Sequence, residues 1–371
     1  MDKKIGLFLT GGGARGAYQA GVLKGISTFL PAKRNPFPVL TGTSAGAINC
    51  AYISSHIQQK QFTEVAKDLA TLWENIRTND ILQTNPFKLF SNGSKWLSIL
   101  MGGGVKLNDS HNLSLLNNKN LEKFLQKNIA FENIESAIQN KIIEAIGITT
   151  LSYEDSTTKT YFSSSTGIPN WTRNLREGIN EKINIDHIMS STSIPILFPS
   201  HQSNGKYFGD GSIRNFAPLS ASIKLGAEKI LIINVKAKRT PIKIDPRGPG
   251  LAQILGTLLH GLMLDNLDAD IERVETINSI LANNSSFNEH KQIQTLLLSP
   301  SENIGHIAAE EFHHLPASLK FLFSGLGKPT EAADLISYFL FEKAYTSRLI
   351  RLGYNDAVAQ QEKILNFLLA N

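Results

Sequence analysis

The 371-residue chain holds one cysteine, Cys50. No intramolecular disulfide can form, and one thiol does not complete a cysteine-based zinc site. Acid is missing from a long N-terminal stretch: after Asp2 the next carboxylate is Glu64. Long apolar runs are missing too. The leading "IGLFL" is too short for the core of a secretory leader. The longest uncharged apolar-leaning stretch, Gly248 to Leu264, falls short of a membrane span and contains His260. Strong charge of either sign is absent, since 37 basic against 32 acidic residues leave a net +5. No basic stripe with interleaved aromatics marks a nucleic-acid surface, so no nucleic-acid partner is expected. The mild excess suits an anionic membrane surface or an acidic substrate. The expectation is a protein of the cytoplasm or the membrane periphery, with export by a signal-peptide-independent route as the alternative.

What is present is an ordinary globular composition, enough for one large domain or two modest ones. "KIGLFLT" reads as a buried strand and "AYQAGVLKGISTFL" as a helix. "PAKRNPFP" is a breaker, and "VLTGTSAGAINCAYISSHI" is strand, tight turn and helix. This β-α-β-α opening predicts a mainly parallel sheet flanked by helices. "FTEVAKDLATLWENI" and "NLEKFLQKNI" are helical, and between them "KWLSILMGGG" is an apolar knot among polar loops. "KIIEAIGITTLSYED" and "TKTYFSSS" predict a β-hairpin. Past Lys236 the segment "KAKRTPIKIDPRGPG" is a basic, Pro-rich connector, carrying Lys236, Lys238, Arg239, Lys243 and Arg247 against Asp245. A solvated linker is its default reading, and attraction of lipid phosphates is the functional one. Helices are predicted over Leu251 to Asn283, Ala317 to Phe323, Pro329 to Leu352 and Asp356 to Leu369, with "IQTLLLS" a strand between the first two.

Three short motifs carry chemistry. Gly11, Gly13 and Gly16 form G-x-G-x-x-G directly after the first strand. That spacing can cradle a pyrophosphate or hold another negative oxygen with its backbone amides. The dinucleotide reading wants an acid about 20 positions further on, and none occurs before Glu64. Lys33 and Arg34 could meet a 2′-phosphate instead. A Walker loop fails, because Ala17 and Tyr18 follow Gly16 where Lys and Ser or Thr are required. The second motif, "GTSAG", spans Gly42 to Gly46 and places Ser44 on a strand-turn-helix corner, as a nucleophile requires. The third is "GDGS", with Asp210 between Gly209 and Gly211. By default such an Asp is a turn residue. Acyl transfer needs a nucleophile, a base and oxyanion donors. Ser44, Asp210 and Gly11, Gly12 and Gly13 can supply them, and no histidine sits in a comparably marked turn.

"GGGARG", "GTSAGA" and "DGS", in this order, resemble the patatin-like phospholipases. "SSTSIPILFPS" is similar to the family's Ser-rich, Pro-containing segment. Ser212 stands where the family usually has Gly or Ala. The resemblance spans roughly Lys4 to Val235. It implies an α/β fold, a three-layer α/β/α sandwich with a mainly parallel central sheet, here followed by a mostly helical C-terminal region. The expected division is a catalytic domain over 4–235 and, over 236–371, the basic connector and a helical extension packed on or beside it. The resemblance further implies a Ser44–Asp210 dyad, an oxyanion loop of Gly11, Gly12 and Gly13, and hydrolysis of membrane or micellar phospholipid esters with no metal or cofactor. Arg15, Gly16, Gly42, Gly46 and Gly211 support the site. Arg15 either holds the loop by hydrogen bonds or meets an anionic head group. The alternatives are a Ser-His acyltransferase or esterase using a later histidine, a nucleotide-binding module, and an idle lipid-binding scaffold.

Overall fold

The computed structural model describes residues 3–30, 35–83, 114–236, 246, 248–282, 291–325 and 327–369. Among the described residues ten strands form one sheet: β1 (Ile5–Leu9), β2 (Val39–Gly42), β3 (Ala145–Ser152), β4 (Thr158–Ser164), β5 (Trp171–Arg173), β6 (Arg176–Asn180), β7 (His201–Ser203), β8 (Lys206–Asp210), β9 (Lys229–Ile233) and β10 (Gln294–Leu298). Their order is β10-β9-β1-β2-β3-β4-β6-β5, with β8 paired to β3 and β7 to β8. The five strands from β10 to β3 run parallel. β4 and β8 pair antiparallel to β3.

The parallel core follows from composition. β1, β2 and β9 are short apolar runs buried along nearly their whole length, as strands covered on both faces must be. Successive residues alternate between two cores. Leu7, Leu9, Leu231 and Ile233 join the larger cluster, whereas Phe8, Ile230 and Ile232 join the smaller. Helices Gly16–Phe29, Ala45–His56, Phe62–Asn75 and Lys343–Ala359 feed the first. Helix Asn266–Ala282 contributes Leu267 and Val274 to the second. The result is the expected sandwich of helices, sheet and helices. Helix Phe62–Asn75 shows the local logic. Phe62, Val65, Ala66, Leu69, Ala70 and Trp73 are its buried stripe, and Glu64 reaches back to the Gln61 amide at 3.0 Å to cap its start.

The predicted hairpin is β3–β4, and "IQTLLLS" forms β10 at the sheet edge. Several predicted elements differ. The helix expected over Pro329 to Leu352 is two helices, Ala333–Phe339 and Lys343–Ala359, parted by an extended turn at Leu340 and Glu342. The cause is tertiary: the Glu342 carboxylate leaves the helical register to accept the Thr78 hydroxyl at 2.8 Å. The second of these helices runs through the break expected before Asp356 and ends at Ala359, and Gln361–Leu369 follows. Helices Phe131–Gln139 and Ile304–Glu310 and the short strands β5 and β6 were not expected from pattern. The long helix beginning at Leu251 contains a π turn, Gly261–Asp265. The "KWLSILMGGG" knot and the connector cations Lys238, Arg239, Lys243 and Arg247 lie outside the described residues, as do Lys33 and Arg34.

C-terminal residues enter the main core. Tyr338, Phe339, Tyr345 and Leu349 belong to the same cluster as Leu7 and Tyr18. Helix Gly16–Phe29 lies directly on helix Lys343–Ala359, with Gly21 against the Ile350 backbone and Gly353 against the Tyr18 carbonyl.

Candidate active site

Ser44 occupies the corner between β2 and helix Ala45–His56, with φ 53° and ψ −123°. Such a backbone is strained for a non-glycine residue and persists only where its surroundings hold it. Two contacts hold it here. The Ser44 amide donates to Ser191 Oγ at 2.9 Å, and Ser191 Oγ donates to the Thr149 carbonyl at 2.7 Å. Gly42 and Gly46 flank the corner because backbone fills the space where their side chains would stand. A Cβ on Gly46 would meet the Leu9 carbonyl, and one on Gly42 the Gly46 carbonyl.

Asp210 ends β8, opposite Thr150 of β3, and is fully buried. Its amide donates to the Ser193 carbonyl at 2.8 Å, and its Oδ1 accepts the Ser212 amide at 2.8 Å. Gly211 packs against the Thr149 carbonyl. Ser44 is near enough to favour the charged carboxylate, although no hydrogen bond joins the two and Asp210 Oδ2 has no partner among the described residues. Burial disfavours the carboxylate anion, while the Ser44 and Ser212 groups favour it. Burial prevails, and the Asp210 pKa is pushed up to about 6. The second and third sequence motifs lie side by side, and the segment Ile185–Ser193 holds both, Ser44 through the Ser191 hydroxyl and Asp210 through the Ser193 carbonyl.

The first motif closes the site. Gly11 lies between the other two: a Cβ there would stand 2.5 Å from Ser212 Oγ and 3.1 Å from Ser44 Cβ. Gly13 has φ 57°, and its side faces the Tyr338 carbonyl. A Cβ on Gly12 would stand 2.5 Å from Val235 Cγ2. Packed groups, rather than an open phosphate cradle, border these two glycines. Among the described residues no backbone bond uses the amides of Gly11, Gly12 or Gly13 as donors, and Gly13–Arg15 opens the helical run that continues through Gly16–Phe29. Amides at such a terminus favour negative charge. Gly16 lies against Trp73 and Ala45.

Arg15 is buried and points away from solvent. Its Nε donates to Ser337 Oγ at 2.8 Å, and its Nη2 donates to the Asp334 carbonyl at 3.2 Å and to Asp334 Oδ1 at 3.1 Å. The guanidinium also lies 4.2 Å from the centre of the Tyr338 ring. Of the two roles expected for Arg15, these contacts match the one that holds the loop.

A polar chain under the loop escaped sequence reasoning. Trp73 Nε1 donates to Asn49 Oδ1 at 2.7 Å, and Asn49 Nδ2 donates to Gln19 Oε1 at 2.9 Å. Gln19 Nε2 then donates to the Thr10 carbonyl at 2.9 Å, just before Gly11. The available signal was a single amide side chain in the apolar first half of each of two helices, Gln19 and Asn49. Buried amides persist where they are fully paired.

The opening beside Ser44 is apolar. Ile48, Trp73, Leu121, Phe198 and Phe341 line it together with Ser44, Gly13 and Tyr338, and its free space is about 40 Å³. The described histidines have other partners: His56 bonds Ser55 and Tyr52, and His201 bonds Asp186. Burial lowers the His187 pKa to about 4. His260 is 4.0 Å from Asp265. Of potential metal ligands among the described residues, Glu311, His313 and His314 cluster, but Glu311 is already bonded to Arg348 at 2.8 Å.

No curated protein matches the chain. Solved structures that are similar include VipD from Legionella pneumophila, aligned over 94% of this chain and 67% of its own at 13% identity, with a TM-score of 0.36. The family model described as patatin-like phospholipase matches residues 7–223, well over half of the chain and the stretch that carries Gly11, Ser44 and Asp210. The chain therefore belongs to the patatin-like phospholipase family.

Proposed function

We propose that this protein hydrolyses carboxylic ester bonds of phospholipids and lysophospholipids through the pair Ser44 and Asp210. The observation that carries the reading is the fully buried Asp210 carboxylate, its Oδ2 without a partner among the described residues, in a turn that Gly11 brings beside Ser44. Burial pushes the Asp210 pKa up to about 6. An ordinary aspartate is too weak a base at neutral pH, and the shift brings it toward the range where general-base catalysis is efficient. Ser44 Oγ attacks the ester carbonyl carbon while its proton passes to Asp210. The oxyanion forms beside the amides of the Gly11–Gly13 loop, where each well-placed donor is worth about 3 kcal/mol. Collapse of this intermediate expels the alkoxide, which takes the proton from Asp210, and leaves an acyl ester on Ser44. Asp210 next accepts a proton from water as the water attacks that ester, and the proton returns to Ser44 as the fatty acid leaves. No step calls for a cofactor. The apolar opening lined by Ile48, Leu121 and Phe198 receives the acyl chain. At about 40 Å³ it holds little more than a few waters, so entry of a chain requires its side chains to move apart.

The test is release of fatty acid from phosphatidylcholine vesicles by wild type, Ser44→Ala and Asp210→Asn. Both variants are expected to lose at least about a thousandfold in rate while keeping their folded circular-dichroism spectra. If Asp210→Asn keeps most of the rate and a histidine variant loses it, the Ser-His alternative replaces this reading.

A further inference from the structure

We infer that helix Leu251–His260, with the turn that follows it, is a docking surface for a lipid interface. Its outer side carries Leu251, Ile254, Leu255, Leu258 and Leu262, at the i, i+3, i+4, i+7 and i+11 spacing of one helix face. These five side chains are between 36% and 56% exposed. Its inner side is made of small or neutral groups. Ala252, Gly256 and His260 are buried, and a Cβ on Gly256 would stand 3.3 Å from Asp334 Cβ of helix Ala333–Phe339. A surface helix usually carries its apolar stripe inward and charge outward. Here Ala252, Met263 and Leu264 join the core and Leu259 packs against it, while the outer side is apolar as well. No charged side chain occurs from Gly248 to Leu264. A contiguous exposed apolar stripe of this kind marks an interaction site.

Position and family identify the occupant as lipid. Family membership makes the substrate a lipid, and the inference rests on that substrate class rather than on the Ser44–Asp210 dyad. The helix runs without a break into Gly261–Asp265, where Met263 Cε comes within 3.5 Å of the side of Gly11. Gly11 adjoins Ser44. The same helical run thus presents the stripe on its outer side and, on its buried side, Met263 against the glycine loop at which the substrate must arrive. Among the described residues no helix is long and apolar enough to cross a membrane. The stripe therefore lies in the plane of the interface, with its leucines reaching the acyl boundary. Its lack of charge makes the contact hydrophobic, hence insensitive to salt and independent of anionic lipid.

The experiment is flotation of the full-length Ser44→Ala chain with neutral phosphatidylcholine vesicles at low and high salt. This background leaves the vesicles intact and makes the readout independent of catalysis, so docking and the dyad can fail separately. The chain is expected to float with the vesicles at both salt concentrations. Leu251→Gln, Leu258→Gln and Leu262→Gln combined are expected to reduce partitioning more than about tenfold. Gln has nearly the helix propensity of Leu, and an unchanged thermal midpoint verifies the fold. As a second readout, Leu258→Trp is expected to add an emission component that shifts to the blue when vesicles are added. Failure of the parent chain to float, equal flotation of the triple variant, or no vesicle-induced shift in the Leu258→Trp variant overturns the inference. So does light scattering that shows a dimer which the triple variant dissolves, because the stripe is then a contact between two copies of the chain.

Discussion

Asp210 concentrates the tension between stability and chemistry. It holds its proton more tightly in the folded chain, where its pKa is about 6, than in the unfolded chain, where the reference is 3.8. Protonation therefore favours the folded state. Its stabilising contribution is complete below about pH 4 and is lost as pH rises through about 6. Two measurements follow from the same shift. The rate kcat/KM is expected to rise with pH through an apparent pKa near 6 and then level off, because the base must be unprotonated to take the serine proton. Asp210→Asn is expected to abolish activity and yet raise stability by about 2–3 kcal/mol at pH 8, a gain that vanishes near pH 4. Denaturant melts of both proteins at the two pH values check this, and equal stability at pH 8 refutes it. Ser44 and Asp210 were legible in the sequence because glycine-flanked corners leave a local signature. Ser191, whose hydroxyl fixes the Ser44 amide, was visible only as one serine in a Ser-rich segment. Its partner is chosen by the packing of helix Ile185–Thr192 against β3.

Among elements, the glycine loop and helix Ala333–Phe339 act as a unit. Arg15 joins them through Ser337 and Asp334, and Gly13 packs on the Tyr338 carbonyl. The pair with Asp334 is asymmetric, since the Arg15 side chain is 2% exposed and that of Asp334 is 41% exposed. Solvent screens the Asp334 end, so the loss on breaking the pair falls below that of a fully buried one. Arg15→Met is expected to cost about 2–3 kcal/mol, mainly through the lost hydrogen bonds to Ser337 and Asp334, with Ser337 still bonded to the Asp334 carbonyl. It is also expected to lower kcat more than it raises KM, because the loop amides lose their fixed position. Arg15→Lys does not restore the forked contacts. Unaltered kinetics in Arg15→Met show that the loop is held by packing alone. The sequence offered Arg15 as a residue that holds the loop, but its partners Ser337 and Asp334 were not readable in pattern. The break at Leu340 and Glu342 exists because Glu342 bonds Thr78, a partner far away in sequence.

For the whole molecule, the family match ends at residue 223, but the packing does not. β10 extends the parallel sheet beside β9, and helix Lys343–Ala359 covers helix Gly16–Phe29. A chain cut after Lys236 loses that cover and the groups that pair with Arg15. It exposes Tyr18, Val22 and Leu23, which are fully buried in the intact protein, at roughly 1.5–3 kcal/mol for each large apolar side chain. Against a typical stability of about 5–15 kcal/mol, that loss is decisive. The shortened chain is expected to lack a cooperative thermal transition and near-ultraviolet dichroism. A fragment that melts cooperatively shows that residues 4–235 fold alone.

Short windows of sequence were sufficient for the strand-loop-helix starts and the three motifs, and the sandwich class followed from the family resemblance those motifs carry. Each of these depends on backbone geometry that only glycine, or a small residue at a corner, allows. Which groups hold those motifs in place was decided by tertiary packing. The Trp73–Asn49–Gln19 chain, the Arg15 contacts and the raised pKa of Asp210 join residues that share no local pattern. The reason is physical. Local geometry is set by neighbours along the chain, whereas burial and the pairing of buried polar groups are set by whatever the fold brings alongside.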